Sequence, residues 1–260
     1  MPFLTCRTAI LLLVVSASAY STRTAQSPDS EQQQQIRQKA ESITKEHNKP
    51  PVSRLVAEPS GAREQALRIN RSRRYNGPSH IDITKLVDGG RITRSSEFSA
   101  MLEIPPIPLA KSKTILIADV LSTQAYLSSD KTTIYTEYSL AVQQVLRNDP
   151  AATTHADAIV TACRKGGTLI LPNGNTVGYD FQRQGFPGVG ERYLFFLDWD
   201  SVGEDYQIVT AYLFLEGQVY PIDDLRHSRT EDLRHAGEAI DSFVAEVEKA
   251  VAICEGSKRP

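Results

Sequence analysis

Thr114-Ile-Leu-Ile-Ala-Asp-Val-Leu121 opens a run that continues through Gln124-Ala-Tyr-Leu127, turns at Ser128-Ser-Asp-Lys131 and returns as Thr132-Thr-Ile-Tyr-Thr-Glu-Tyr-Ser-Leu-Ala-Val142. β-Branched and aromatic residues fill both arms, and the connecting residues are types that hydrogen-bond their own backbone. On the return arm Ile134, Tyr138, Leu140 and Val142 fall on one face, with Tyr135, Glu137 and Ser139 on the other. The alternation slips at Gln143-Gln144 before Val145-Leu146, as it does at a bulge. The stretch predicts one long β-hairpin.

Working outward, shorter strands follow at turn-length intervals. Ala158-Ile-Val-Thr-Ala162 precedes the turn Arg164-Lys-Gly-Gly167, then come Thr168-Leu-Ile-Leu171, the turn at Asn173-Gly174, and Thr176 to Phe181. Gly185-Phe-Pro-Gly-Val-Gly190 leads into Arg192-Tyr-Leu-Phe-Phe-Leu197, which is apolar on both faces and therefore central and covered on both sides. Tyr206 to Leu215 pairs with it, and Gln218-Val-Tyr220 closes the series. Short strands at this spacing specify a small barrel or sandwich.

One helix ends the chain. Ser228-Arg-Thr-Glu231 fits a capping box, and Leu233, Ala236, Ile240, Phe243, Val247, Val251 and Cys254 recur at three- and four-residue steps. The expected helix spans 228–255 and lies on the β-domain of residues 113–225. Cys163 and Cys254 are the cysteines beyond the first twenty residues, and one disulfide between them would staple the helix end to the sheet.

The front of the chain has a different texture. Met1–Ala19 carries Arg7, the apolar run Ala9 to Val15 and the small residues Ala17-Ser-Ala19, the layout of an export signal cut before Tyr20. The expectation is an exported protein, periplasmic or secreted, with no transmembrane segment once the signal is removed. Residues 20–112 read as a flexible, low-complexity and basic tether. Glu31-Gln-Gln-Gln-Gln35 precedes a thin stripe of Ile36, Ala40 and Ile43, stopped by Pro50-Pro51. Ile81 to Ile92 is either a hairpin or a short helix, and Pro105-Pro-Ile-Pro108 is a stiff spacer. Net charge is +7 over residues 1–113 and −9 over 114–260. Arg63, Arg68, Arg71, Arg73 and Arg74 concentrate the positive charge, and an exported chain would offer them to an anionic envelope surface rather than to nucleic acid.

Tyr126-Leu-Ser-Ser-Asp-Lys-Thr-Thr-Ile-Tyr-Thr-Glu-Tyr138, Val145-Leu146, Gly185-Phe-Pro187 and Gly190-Glu-Arg-Tyr-Leu-Phe-Phe-Leu197 together resemble uncharacterised exported bacterial β-domains. Their layout is similar to the OB-type barrel of netrin-like domains and tissue metalloproteinase inhibitors. The resemblance implies a five- or six-stranded, partly closed barrel with a helix packed on it. Those inhibitors chelate the protease zinc through an amino-terminal cysteine and carry several disulfides; this chain has neither feature, which removes that mechanism.

Catalytic patterns are thin. Asp198-Trp-Asp-Ser-Val-Gly203 offers carboxylates at the first and third positions of a calcium loop, but Val202 and Val209 stand where oxygen ligands belong, so it reads as a solvated acidic hairpin tip with Glu204 and Asp205. Cys163, His155 and Asp157 supply the residue types of a thiol site, against the plainer reading of a buried strand cysteine. Asp223, Asp224, His227 and His235 lack helical zinc spacing, and Asp223-Asp224 fits a turn. The fold expectation is a mainly β, small OB-like antiparallel barrel with a C-terminal packing helix behind a largely disordered N-terminal region. The functional expectation is a non-enzymatic binding or envelope-associated module without a cofactor or metal. Tyr126, Tyr135, Tyr138 and Phe186 on the barrel would hold a protein or glycan, and a hydrolase or thiol enzyme is the alternative.

Overall fold

A computed structural model describes residues 28–57, 59–78, 81–85, 90–94, 104–181, 184–223 and 235–256. The export signal, Asp224, His227, the Ser228–Glu231 box and Leu233 lie outside the described residues. The elements in chain order are α1 (Pro28–His47), β1 (Val52–Arg54), α2 (Ala62–Arg74), a 3-10 turn (Ile83–Lys85), β2 (Gly90–Arg94), β3 (Thr114–Leu127) and β4 (Ile134–Arg147). Then follow β5 (Ile159–Lys165), β6 (Gly167–Ile170), β7 (Thr176–Phe181), β8 (Arg192–Asp200), β9 (Asp205–Leu215), β10 (Gln218–Pro221), β11 (Glu238–Ala239) and α3 (Ile240–Gly256).

The hairpin read from sequence is β3–β4, paired from Leu127–Ile134 back to Ile115–Arg147. Ile117 faces Gln144 while Ala118 faces Val142, so Gln143 bulges out where the alternation slipped. β4 pairs with β5, β5 with β9, β9 with β8, and β8 returns to β3. This closed ring is an OB-like barrel, antiparallel except where β5 and β9 run side by side at Ala162–Tyr206 and Cys163–Gln207. Closure leaves these strands without a free edge along the ring.

Two-faced strands explain how one sheet makes two cores. Leu116, Ala118 and Val120 of β3 point into the barrel with Tyr193, Phe195 and Leu197 of β8. Their sequence neighbours Ile115, Ile117, Leu194 and Phe196 point outward, where Phe243, Val247 and Val251 of α3 cover them. Alternation at a period of two requires this division. The Pro105–Pro108 spacer lies on the same outer face: Tyr212 donates its hydroxyl to the Pro106 carbonyl at 2.7 Å, and Ile107 and Leu109 join the core under α3.

α3 begins at Ile240, later than the apolar stripe suggested. Gly237 takes a left-handed φ of 78°, and Glu238–Ala239 extend to pair with β10 before the helix starts. The stripe itself holds, since Phe243, Val247 and Val251 are its buried members.

A second sheet, ordered β1-β6-β7-β2, grows from the barrel where β5 ends. The switch occurs at Gly166, whose φ of 104° suits glycine and whose missing Cβ would sit 2.7 Å from the Phe186 ring. β1 adds in parallel to β6 and β2 in parallel to β7, so both edges are supplied by the N-terminal region. That region was expected to be a tether, yet its described parts carry α1, β1 and α2 against the barrel. The thin stripe of α1 suffices because Ala40 and Ile43 enter the barrel core itself, where each buried methyl group counts fully.

Phe243 is fully buried between Tyr212 and His235, with ring centroids 4.7 Å from each. Phe243→Ala is expected to cost about 3–5 kcal/mol of unfolding free energy in urea, whereas Ile253→Ala, exposed on the same helix, leaves the midpoint unchanged.

Candidate functional site

The basic stretch 63–74 is α2, and it seats on the β8–β9 hairpin tip. Arg74 forks onto Asp205, Nη1 donating to Oδ1 at 2.9 Å and Nη2 to Oδ2 at 2.6 Å, and also contacts Asp200. Asp205 is fully buried. Arg71 donates its Nε to the Gly203 carbonyl at 2.9 Å and lies 3.5 Å from Glu137, while Asn70 donates to the Val202 carbonyl. Arg63 reaches Glu204 at 2.7 Å on the surface. The tip keeps Ser201, Val202 and Glu204 exposed as expected, but its carboxylates Asp200, Glu204 and Asp205 are paired with arginine, and Asp198 lies 3.7 Å from Lys113. Burial pushes the Glu137 carboxyl up, with Arg71 and Arg68 drawing it back.

Docking α2 here builds an aromatic stack on the barrel wall. Arg74 covers Tyr75 at 4.8 Å, Tyr75 stacks on Tyr135 with centroids 4.8 Å apart and planes 13° off parallel, Tyr126 tilts against Tyr135 at 5.7 Å, and Arg68 sits 4.0 Å over Tyr126. The outer end of this stack opens into a cleft of about 720 Å³ between α2, the β3–β4 turn, the segment after β1 and the β6–β7 turn. Leu55, Val56, Ile69 and Leu171 form its apolar walls, and Arg68, Lys131, Thr84 and Asn173 its polar ones. Leu55, Val56 and Ile69 are 37%, 43% and 44% exposed and sit together here, so three of the exposed large apolar side chains share one concavity.

Two of the four aromatic residues expected to bind, Tyr126 and Tyr135, line this cleft, Tyr126 half-buried and Tyr135 packed behind it. Tyr138 is fully buried inside the barrel, and burial pushes its hydroxyl well above the usual tyrosine range. Phe186 is also buried, its backbone N–H bonded to the His47 carbonyl at the end of α1. Alternation assigned Tyr138 to the face of Leu140 and Val142, which is the inner one, so its absence from the cleft follows from the barrel. The arginines likewise do not form an open basic patch. Arg63, Arg71 and Arg74 are paired with carboxylates, Arg68 lies on Tyr126, and Arg73 alone of the five projects from α2 without an assigned contact among the described residues.

Cys163 and Cys254 are free thiols, so the expected bridge is not formed. Cys163 packs with Tyr75, Tyr126 and Tyr135, whereas α3 packs against outward residues of β3, β8 and β9, a separate cluster. Burial, then Asp205 and Glu137, pushes the Cys163 thiol well above its ordinary value. His155 is exposed in the turn before β5, its Nδ1 2.7 Å from the Ala156 carbonyl, and Asp157 holds a left-handed φ of 66° there. Asp223 is occupied by other donors: Nη2 of buried Arg164 donates to both its oxygens at 2.7 and 2.8 Å, and it accepts from the Thr210 hydroxyl and the Gly185 N–H. This bond set makes Gly185–Gly190 a barrel corner, and a Cβ on Gly185 would collide with the Ile222 carbonyl at 2.2 Å. His235, Glu238 and Glu246 bring one ligand atom each within 4.8 Å of one another. The 2.9 Å contact from His235 Nδ1 to Glu238 Oε2, with Ser242 donating to Oε1, accounts for that grouping as a clasp between β11 and α3. No described helix is long and apolar enough to cross a membrane.

Removing Arg74 strands a buried carboxylate. Arg74→Met is expected to lose about 3–5 kcal/mol in chemical denaturation. Asp205→Asn on that background recovers part of the loss, while Arg63→Ala leaves the curve in place. A second expectation concerns alkali. The Cys163 thiol and the hydroxyls of Tyr75, Tyr135, Tyr138, Tyr193 and Tyr212 are all raised by burial from ordinary values of 9.0 and 10.0. The unfolded chain therefore releases these protons first, so their stabilising effect is intact below pH 9 and falls as pH rises, by about 1.4 kcal/mol per pH unit for each group titrating in the unfolded state only. Denaturation midpoints measured from pH 8 to 11 should decline, with Cys163→Ala removing the earliest part of the decline. Iodoacetamide should label Cys254 in the native protein and Cys163 only after unfolding.

No family model and no curated protein matches this chain, so the chemistry of the cleft itself carries the functional reading.

Proposed function

We propose that this protein is a non-enzymatic binding module, exported under the signal at Met1–Ala19, whose ligand occupies the cleft between α2 and the β3–β4 turn. The observation that carries this reading is the concentration of exposed Leu55, Val56 and Ile69 around a concavity floored by Tyr126 and Tyr135. A volume of about 720 Å³ lies within the ordinary range for small-molecule sites. The apolar walls favour a ligand with an apolar body over a glycan, and the size favours a small molecule or a short segment of a protein over an extended surface. The sequence resemblance to netrin-like domains accords with a binding role and adds no chemistry. A thiol enzyme finds little support, since Cys163 is 1% exposed and the raised pKa keeps its thiol protonated.

The uncharged fluorophore N-phenyl-1-naphthylamine tests the site directly. Purified protein is expected to enhance its emission saturably with one site per chain. Ile69→Trp, which fills the cleft from an exposed position on α2, should abolish the enhancement without shifting the unfolding midpoint. Emission that is absent, or unchanged by Ile69→Trp, would remove the cleft from consideration.

A further inference from the structure

The charge of the cleft says more than its shape, and this step rests on the reading of the cleft as a binding site. Among the described residues that line it, Arg68 and Lys131 are the charged ones, and none is a carboxylate. The nearest described carboxylates have closer partners, and only longer-range attraction links Glu137 to Arg68 and Asp82 to Lys131. Glu137 lies 3.5 Å from Arg71, and Glu64 lies 3.4 Å from the same guanidinium. Asp82 accepts from both the backbone N–H and the hydroxyl of Thr84 and lies 3.7 Å from Lys85. Among the described residues no carboxylate forms an ion pair with Arg68 or Lys131.

Arg68 is also set up to bind. Tyr126 holds its guanidinium 4.0 Å above the ring, and its Nε is buried without a hydrogen-bond partner among the described residues. A guanidinium seated on a ring has lost part of its freedom already and keeps edge donors for a carboxylate or phosphate. The hydroxyls nearby compete little for an anion: Ser128 donates to Asp130, Ser129 to Asn76 and Ser72 to the Ile69 carbonyl.

We infer that the ligand is an anionic amphipath, a carboxylate or phosphate head on an apolar body. Arg68 and Lys131 take the head, and Leu55, Val56, Ile69 and Leu171 take the body. An uncharged body of the same length would gain the apolar walls and leave both cations with water. A charge-assisted hydrogen bond in a partly desolvated cleft gives the charged ligand an advantage of about tenfold or more.

Competition for bound N-phenyl-1-naphthylamine reads this out, using dodecanoate, dodecyl phosphate and dodecanol below their aggregation limits. The anions are expected to displace the probe at about a tenth of the dodecanol concentration or less. Arg68→Met and Lys131→Met should each bring the anions back toward dodecanol while dodecanol itself is unaffected, and either variant suffices if the other fails to fold. The stronger of the two anions identifies the head group. If dodecanol competes as well as the anions and the variants change nothing, the anion assignment is overturned while the cleft remains a binding site. If the probe does not bind native protein, the binding-module reading falls and takes this inference with it.

Discussion

The fork between Arg74 and buried Asp205 is the contact on which one whole side of the molecule depends. α2 is strongly polar, and little apolar surface holds it to the barrel; charge does instead. Desolvating a carboxylate is costly, and the cost is offset here by two short charge-assisted bonds in a planar fork. Because both partners are committed to one geometry, the pair fixes the angle and register of α2 on the β8–β9 tip. Tyr75 then falls onto Tyr135, Arg68 falls onto Tyr126, and the cleft acquires its wall.

The barrel beneath is organised by a different constraint, the alternation of side chains along strands that are buried twice. β3 and β8 serve the interior with one set of residues and α3 with the other. A sheet with water on one side could not use such strands, which is why an apolar run such as Tyr193 to Leu197 specifies cover on both faces. Gly166 lets the chain leave this double-buried sheet at the end of β5 and begin a second one, whose edges the N-terminal region completes.

Features governed by neighbours along the chain are legible in the amino-acid sequence alone. The hairpin, the bulge at Gln143, the two-faced strand at Tyr193–Leu197 and the apolar face of the last helix all follow from local period. Those governed by distant partners are not. Nothing within residues 63–74 says that Asp200, Asp205 and Glu137 await them, so the stretch reads as part of a flexible, basic tether. Ala40 and Ile43 look too sparse to hold a helix until a barrel end is there to receive them. The lining of the cleft is half legible, since composition points to Tyr126 and Tyr135 but equally to Tyr138 and Phe186, and inward or outward depends on which face the closed ring encloses. The cysteine bridge is an inference from number and compartment, and it fails because Cys163 and the last helix belong to separate packing clusters.

The five arginines of α2 show how one basic run is divided by helix geometry. At about 100° per residue, Arg63, Arg74 and Arg71 fall within one arc of the helix, and that arc meets the carboxylates of the hairpin tip. Arg68, Ser72 and Ile69 follow around the circumference, and those are the α2 residues that line the cleft. Arg73 comes next and is exposed. A count of charges would treat these residues alike. The helix converts them into a structural ion-pair network, a single cation seated over a tyrosine beside apolar walls, and a solvated remainder. Arg71 and Arg74 take the nearest carboxylates, Glu137 and Asp205, and Arg68 reaches Glu137 only through longer-range attraction. Structural pairing on one arc of α2 is thus what leaves charge available on the next.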